Sequence, residues 1–203
     1  MTPVTEVPRF FLVLFSQSKG VVLKKIQSVI EQDGEMIARE AEKLQDALTH
    51  FRYEGKLQRG KNLKAITSIV SSLDQELKKH KRYQEKILFP FLKRHVPKYE
   101  PTIHFFQSDH EAIWENTQKV KESLKQIRRS DLHPANGSLR ETGIYLVCLL
   151  RHHVRLEKNG IQKILEKDLK EGERAEIKTK VQKWFDRYRE KSRPKNSHRG
   201  KGG

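Results

Sequence analysis

The stretch LLRHHVRLEKNGIQKIL, residues 149–165, is an apolar helical run interrupted by His152, His153 and Glu157. Imidazoles and carboxylates are costly to bury without a partner, and a metal ion is one partner that satisfies both. Residues four apart share a helix face, so His153 pairs with Glu157 and His152 falls out of step. Similar breaks recur in three other apolar stripes. Ile103, Phe106, His110, Ile113, Thr117, Val120, Leu124 and Ile127 keep an alternating three- and four-residue spacing, with His110 fully in phase. Ile66, Leu73, Leu77, His80, Gln84, Ile87 and Phe91 carry His80, with Glu85 beside Gln84. Ile26, Ile30, Asp33, Ile37, Leu44 and Phe51 carry Asp33. The candidate metal ligands are therefore Asp33, His80, Glu85, His110, His153 and Glu157. Nitrogen and carboxylate ligands meeting inside a helical core suit iron, manganese or zinc, and carboxylates can bridge a pair of ions.

The elements that must position these groups follow from periodicity and breakers. Helices are expected over 21–53, stopping near Gly55, and over 61–95, ended by Pro97 and the VPKYEP turn. A third runs over 101–129, opening on Pro101, a good first-turn residue. SDLHPANGS reads as a loop, a fourth helix as 139–169, and the Gly172 region separates it from a short helix ending near Tyr188. No strand pattern competes. The expected fold is all-α: an up-down-up-down four-helix bundle with a short extra C-terminal helix and a basic tail. The division is an N-terminal segment 1–20, the bundle 21–170, the extra helix 171–190 and a disordered basic tail 191–203. At 1.5 Å rise per residue all the polar intruders fall within about 10 Å of one level, roughly 15–25 Å from one bundle end. Scattered core polars would not share a level.

Composition narrows the function. The chain has 203 residues, a formal net charge of +16 and a pI near 9.9. Such an excess favours acidic partners, an acidic protein or nucleic acid, reached through REKSRPKNSHRGKGG and the Lys/Arg faces. No recognisable nucleic-acid fold accompanies it. Cys148 is the single cysteine, so an internal disulfide is excluded, and its apolar neighbours read as those of a small core residue. FFLVLF, residues 10–15, is too short to span a bilayer, and a cytoplasmic location is the default. No nucleophile–base constellation, phosphate loop or CxxC is present. His50, His95, His104, His133 and His198 read as surface or loop residues, and Trp114, Phe89, Phe91, Phe105 and Phe106 as core.

HKRYQEKILFP (80–90), SDHEAIW (108–114) and RHHVRLEK (151–158) together resemble the motifs of the hemerythrin-like, or HHE, cation-binding domain family. HKRYQEK and HHVRLEK also echo one another: His, four residues, Glu, Lys. The resemblance covers roughly 20–170. It implies a four-helix bundle around two non-haem irons, with Glu85 and Glu157 as bridging carboxylates and His80, His110 and His153 as terminal ligands. It further implies binding, storing or sensing of iron, O2 or a related diatomic. An oxidase, peroxidase or iron–sulfur-repair activity is the catalytic variant of that class and would need substrate access as well.

The chain departs from the family pattern in particular places. Lys81 stands four residues before Glu85, where the family has a histidine, and His80 is displaced by one. On a regular helix Glu85 lies about 140° from His80, so the two share a site only through a local distortion such as a π-bulge. Gln84 is in phase with His80 but is a neutral ligand. Asp33 stands for the first-helix histidine, and Phe106 occupies a position where some members place another. A more oxygen-rich donor set shifts the balance toward Mn2+ or a mononuclear site. The competing expectation is a bundle that has lost its metal and acts as a basic interaction protein, whose binding would collapse as salt rises.

Overall fold

The computed structural model describes residues 32–53, 59–129 and 133–192. The expected segment 1–20, the first turns of the first helix and residues 193–203 of the basic tail lie outside the described residues. Helix α1 covers 32–53, followed by α2 (Arg59–Tyr83), a π-helical turn (Gln84–Leu88) and α3 (Phe89–His95). A 3-10 turn (Pro97–Tyr99) leads into α4 (Glu100–Arg129), then α5 (His133–Lys167) and α6 (Glu171–Ser192). Among the described residues there is no strand, and none of the helices is long and apolar enough to cross a membrane.

The heptad-like spacing does what it should on α4: all eight seam residues from Ile103 to Ile127 are buried. The apolar residues form two separate clusters. One is aliphatic and joins α1, α2, α4 and α5 through residues such as Ile37, Leu48, Leu73, Val120 and Leu150. The other is rich in aromatic residues and joins the end of α2, the π turn, α3, α4, α5 and α6 through Tyr83, Leu88, Phe89, Phe106, Ile161 and Phe185. Between them, in sequence order along α2, α4 and α5, lie His80, His110, His153 and Glu157, all buried. A polar stratum thus separates two dry cores.

The π turn has a local cause. Pro90 carries no N–H and cannot donate to the carbonyl one helical turn back, where its ring also crowds the chain. The backbone widens just before it, and the Phe89 N–H donates to the carbonyl of Gln84, five residues earlier.

Several expectations are corrected. The SDLHPANGS loop is shorter than expected, because α5 begins at His133 and not at Leu139; Pro134 falls in its first turn, where a missing N–H costs nothing. The last helix, expected over 171–190 and ending near Tyr188, is longer: α6 runs from Glu171 to Ser192, taking in the first two residues assigned to the tail. Cys148 is exposed, as are Phe105 and Trp114, because each lies off the buried stripe of its helix. His95 is half-buried, stacked on Phe91 and paired with Glu173 at 3.0 Å.

Candidate metal centre

Three histidines from three helical segments meet in the polar stratum. His80 near the end of α2, His110 in α4 and His153 in α5 each offer a ring nitrogen, and these atoms lie within 4.8 Å of one another. His80 Nε2 and His153 Nε2 are 3.1 Å apart. Two nitrogens each about 2.1 Å from one ion, at an angle near that of a tetrahedron, stand roughly 3.1–3.4 Å apart. Glu157 Oε2 completes the group, 3.4 Å from His80 Nε2 and 3.7 Å from His153 Nε2.

The opposite nitrogen of each ring is held by a carboxylate. His80 Nδ1 meets Asp33 Oδ2 at 2.7 Å, His110 Nδ1 meets Glu85 Oε1 at 3.1 Å, and His153 Nδ1 meets Asp109 Oδ2 at 2.6 Å. A carboxylate on Nδ1 orients each ring and favours the tautomer whose Nε2 can ligate a cation, the arrangement found behind metal-ligating histidines. The π turn makes the second of these contacts. The widened turn carries Glu85 round to His110 while Gln84, the preceding residue, remains buried and donates its amide to Glu157 Oε1 and, at 3.3 Å, to Tyr83 Oη.

Electrostatics agree with a site built for a cation. Burial, reinforced by His80 and His153, pushes His110 down to about 2 from 6.5, so its ring is neutral. Burial works against an ionised Asp33, yet His80 and Lys79 more than offset it and hold the carboxyl below its usual range. His80 is shifted upward: burial opposes its charge, but Glu157 and Asp33 outweigh burial. Burial, with the adjacent Glu111, raises Glu85 despite Lys81. Tyr83 is pushed well up by burial and by the Glu157 and Asp33 charges, and stays a phenol. Among the described residues, His110 Nε2 and Gln84 Oε1 are buried without a hydrogen-bond partner, and Asp33 Oδ1 has only the Lys79 ammonium, 3.2 Å away. Orphaned buried polar atoms each cost about 1–3 kcal/mol. His110 Nε2 belongs to the three-histidine cluster, and a cation held there would satisfy it.

A cavity of about 30 Å³ reaches His80 and His110 between α2 and α4, lined also by Leu77, Ile113, Trp114 and Thr117. One water needs roughly 10–15 Å³ of such space, so the cavity admits a molecule of one or two heavy atoms.

The family model described as the hemerythrin HHE cation-binding domain matches residues 26–165. The chain belongs to that family. A comparison with curated proteins found no match. The hemerythrin match stops short of α6, yet Phe185 and Trp184 of α6 pack on Tyr83, with ring centroids 5.3 and 5.9 Å away. This hemerythrin-like chain therefore closes the aromatic side of its polar stratum with a helix outside the matched segment.

Of the six residues expected at the site, the structure brings His80, His110, His153 and Glu157 together and places Asp33 and Glu85 behind two of the histidines. His152 is exposed and contacts Arg155. Two participants had no signal in the seam pattern. Asp109 sits one residue off the α4 seam and reaches across to α5, and Tyr83 lies beside Gln84; only neighbouring helices reveal either.

Proposed function

We propose that this protein binds iron between His80, His110, His153 and Glu157 and serves to bind, store or sense iron, O2 or a related diatomic. The observation that carries the reading is the convergence of three buried imidazoles, each backed by a carboxylate, with His110 Nε2 left without a partner. Manganese and zinc suit the same donors. The long helices α1, α2, α4 and α5 would form the family's four-helix bundle around them. The family pattern implies two irons bridged by Glu85 and Glu157, and the contacts of those two carboxylates decide how far it applies to this chain.

A bound iron supplies a redox-active Lewis acid to which a diatomic can attach. The chain's residues do the rest. Asp33, Glu85 and Asp109 hold the imidazoles in their donor tautomers. Phe89 stacks on His110 at 5.8 Å and Phe106 meets His153 edge-on at 6.0 Å, keeping water from that side. The small cavity between α2 and α4 supports a ligand the size of O2 or NO.

Metal content by inductively coupled plasma mass spectrometry, on protein expressed with iron supplied, tests the reading. At least one iron per chain, lost in His110→Ala and His153→Ala, is expected. Absence of metal after reconstitution would refute it. The net charge of +16 favours one further role, contact with an acidic protein or nucleic acid. Such binding should weaken steeply with salt, whereas metal retention should not.

A further inference from the structure

We propose that the centre takes a single divalent first-row transition-metal ion, held by Nε2 of His80, His110 and His153 and by Glu157. Asp33, Glu85 and Asp109 then position the histidines and do not bridge to a second ion. The inference rests on the metal-binding reading above and departs from the ion pair that the family pattern implies.

The three imidazoles converge on one another, and among the described residues no further histidine joins them as a donor for a second ion. Glu85 is committed to His110 Nδ1 from the partly exposed edge of the site, with its side chain 27 % accessible. A bridging carboxylate would sit inward, where buried Gln84 stands. Glu157 cannot bridge freely either. Its Oε2 faces His80 and His153, while Oε1 accepts the Gln84 amide, a neutral donor placed where a second ion would need a lone pair. That contact also fixes the amide orientation, because the opposite flip would press an oxygen against a carboxylate. On the remaining side, Asp33 Oδ1 lies 3.2 Å from the Lys79 ammonium. Lys79 already supplies the positive charge that a second cation would bring, and burial of a further cation beside it is opposed by like-charge repulsion. One buried glutamine and one lysine thus disfavour a second ion.

The test is a count. The full chain is stripped with a chelator and titrated with Co2+ and with Zn2+, following heat and, for cobalt, visible absorbance; iron-loaded protein is examined by electron paramagnetic resonance. Saturation at one equivalent is expected, with a high-spin ferric signal accounting for the iron bound. Glu85→Gln should keep one equivalent and bind about 10–100-fold more weakly, with helix content checked by circular dichroism. Two equivalents, falling to one in Glu85→Gln, and an EPR-silent ferric state would overturn the single-ion centre while leaving metal binding intact. No equivalent bound would instead sink the metal-binding reading itself.

Discussion

Asp109→Asn isolates what a carboxylate behind a proposed ligand histidine contributes. Asp109 Oδ2 accepts from His153 Nδ1 at 2.6 Å, with His153 inaccessible and the Asp109 side chain 11 % accessible. A hydrogen bond to an ionised group in such surroundings is worth about 1.5–3 kcal/mol. At 1.4 kcal/mol per tenfold, that becomes roughly ten- to a hundredfold in metal affinity. Asparagine can still accept through its amide oxygen, so it keeps the ring orientation and loses only the charge; it belongs at the lower end. Asp109→Ala loses orientation as well and belongs at the upper end. Competition against a chromophoric chelator for Zn2+ measures both, with circular dichroism as the check on folding. Native-like affinity in both variants would refute the positioning role. A loss beyond about a thousandfold in Asp109→Asn would refute it from the other side, since that is the behaviour of a direct ligand.

Other perturbations test the packing. A Cβ at Gly143 would stand 2.5 Å from Leu48 Cδ1 and 3.2 Å from Cδ2; Gly143→Ala should therefore lower stability by about 1–2 kcal/mol in a urea melt, despite its better helix propensity. Gly160→Ala meets only Phe106 ring atoms at 3.4 and 3.5 Å, and should raise stability by about 0.5–1 kcal/mol. Asp74 is buried between Lys78 and Lys121, each 2.7 Å away. Burial opposes its charge, but the two ammoniums hold its carboxyl below 3.8. Its contribution, about 1–2 kcal/mol, is therefore complete above 3.8 and is lost as pH falls through the lower folded value. The gap between native and Asp74→Asn urea midpoints should accordingly be constant near neutrality and close only in acid. Phe185→Ala should cost about 2–4 kcal/mol, read as a lower thermal midpoint, and should increase quenching of Tyr83 and Trp184 emission by small solutes.

Most of the site was legible because burial and periodicity are the same fact on a straight helix. Every seam residue of α4 is buried, His110 included, so a polar residue in phase was correctly read as facing inward. The disagreement between His80 and Glu85 was legible as well, since an ideal helix cannot bring both to one place. Its resolution, the wide turn before Pro90, required the backbone. What the chain alone withheld is what crosses between helices: that Asp33 meets the back of His80, that Asp109 serves His153 on α5, and that α6 lies on Tyr83. Trp114, Phe105 and Cys148 were misread because residue type was allowed to outweigh position. Each is apolar or small, and each falls off the stripe.

The polar stratum also bears on how the molecule comes apart. Two dry cores with buried histidines and a carboxylate between them are natural cooperative units, since the layer joining them contributes little hydrophobic cohesion of its own. In the absence of a cation, amide hydrogen exchange should divide the chain at that layer, with the aliphatic core and the aromatic core opening independently. A cation bound as proposed between α2, α4 and α5 would tie the two together, so that neither would open without releasing it. Loading is then written into the unfolding behaviour of the whole domain, far from the ion itself.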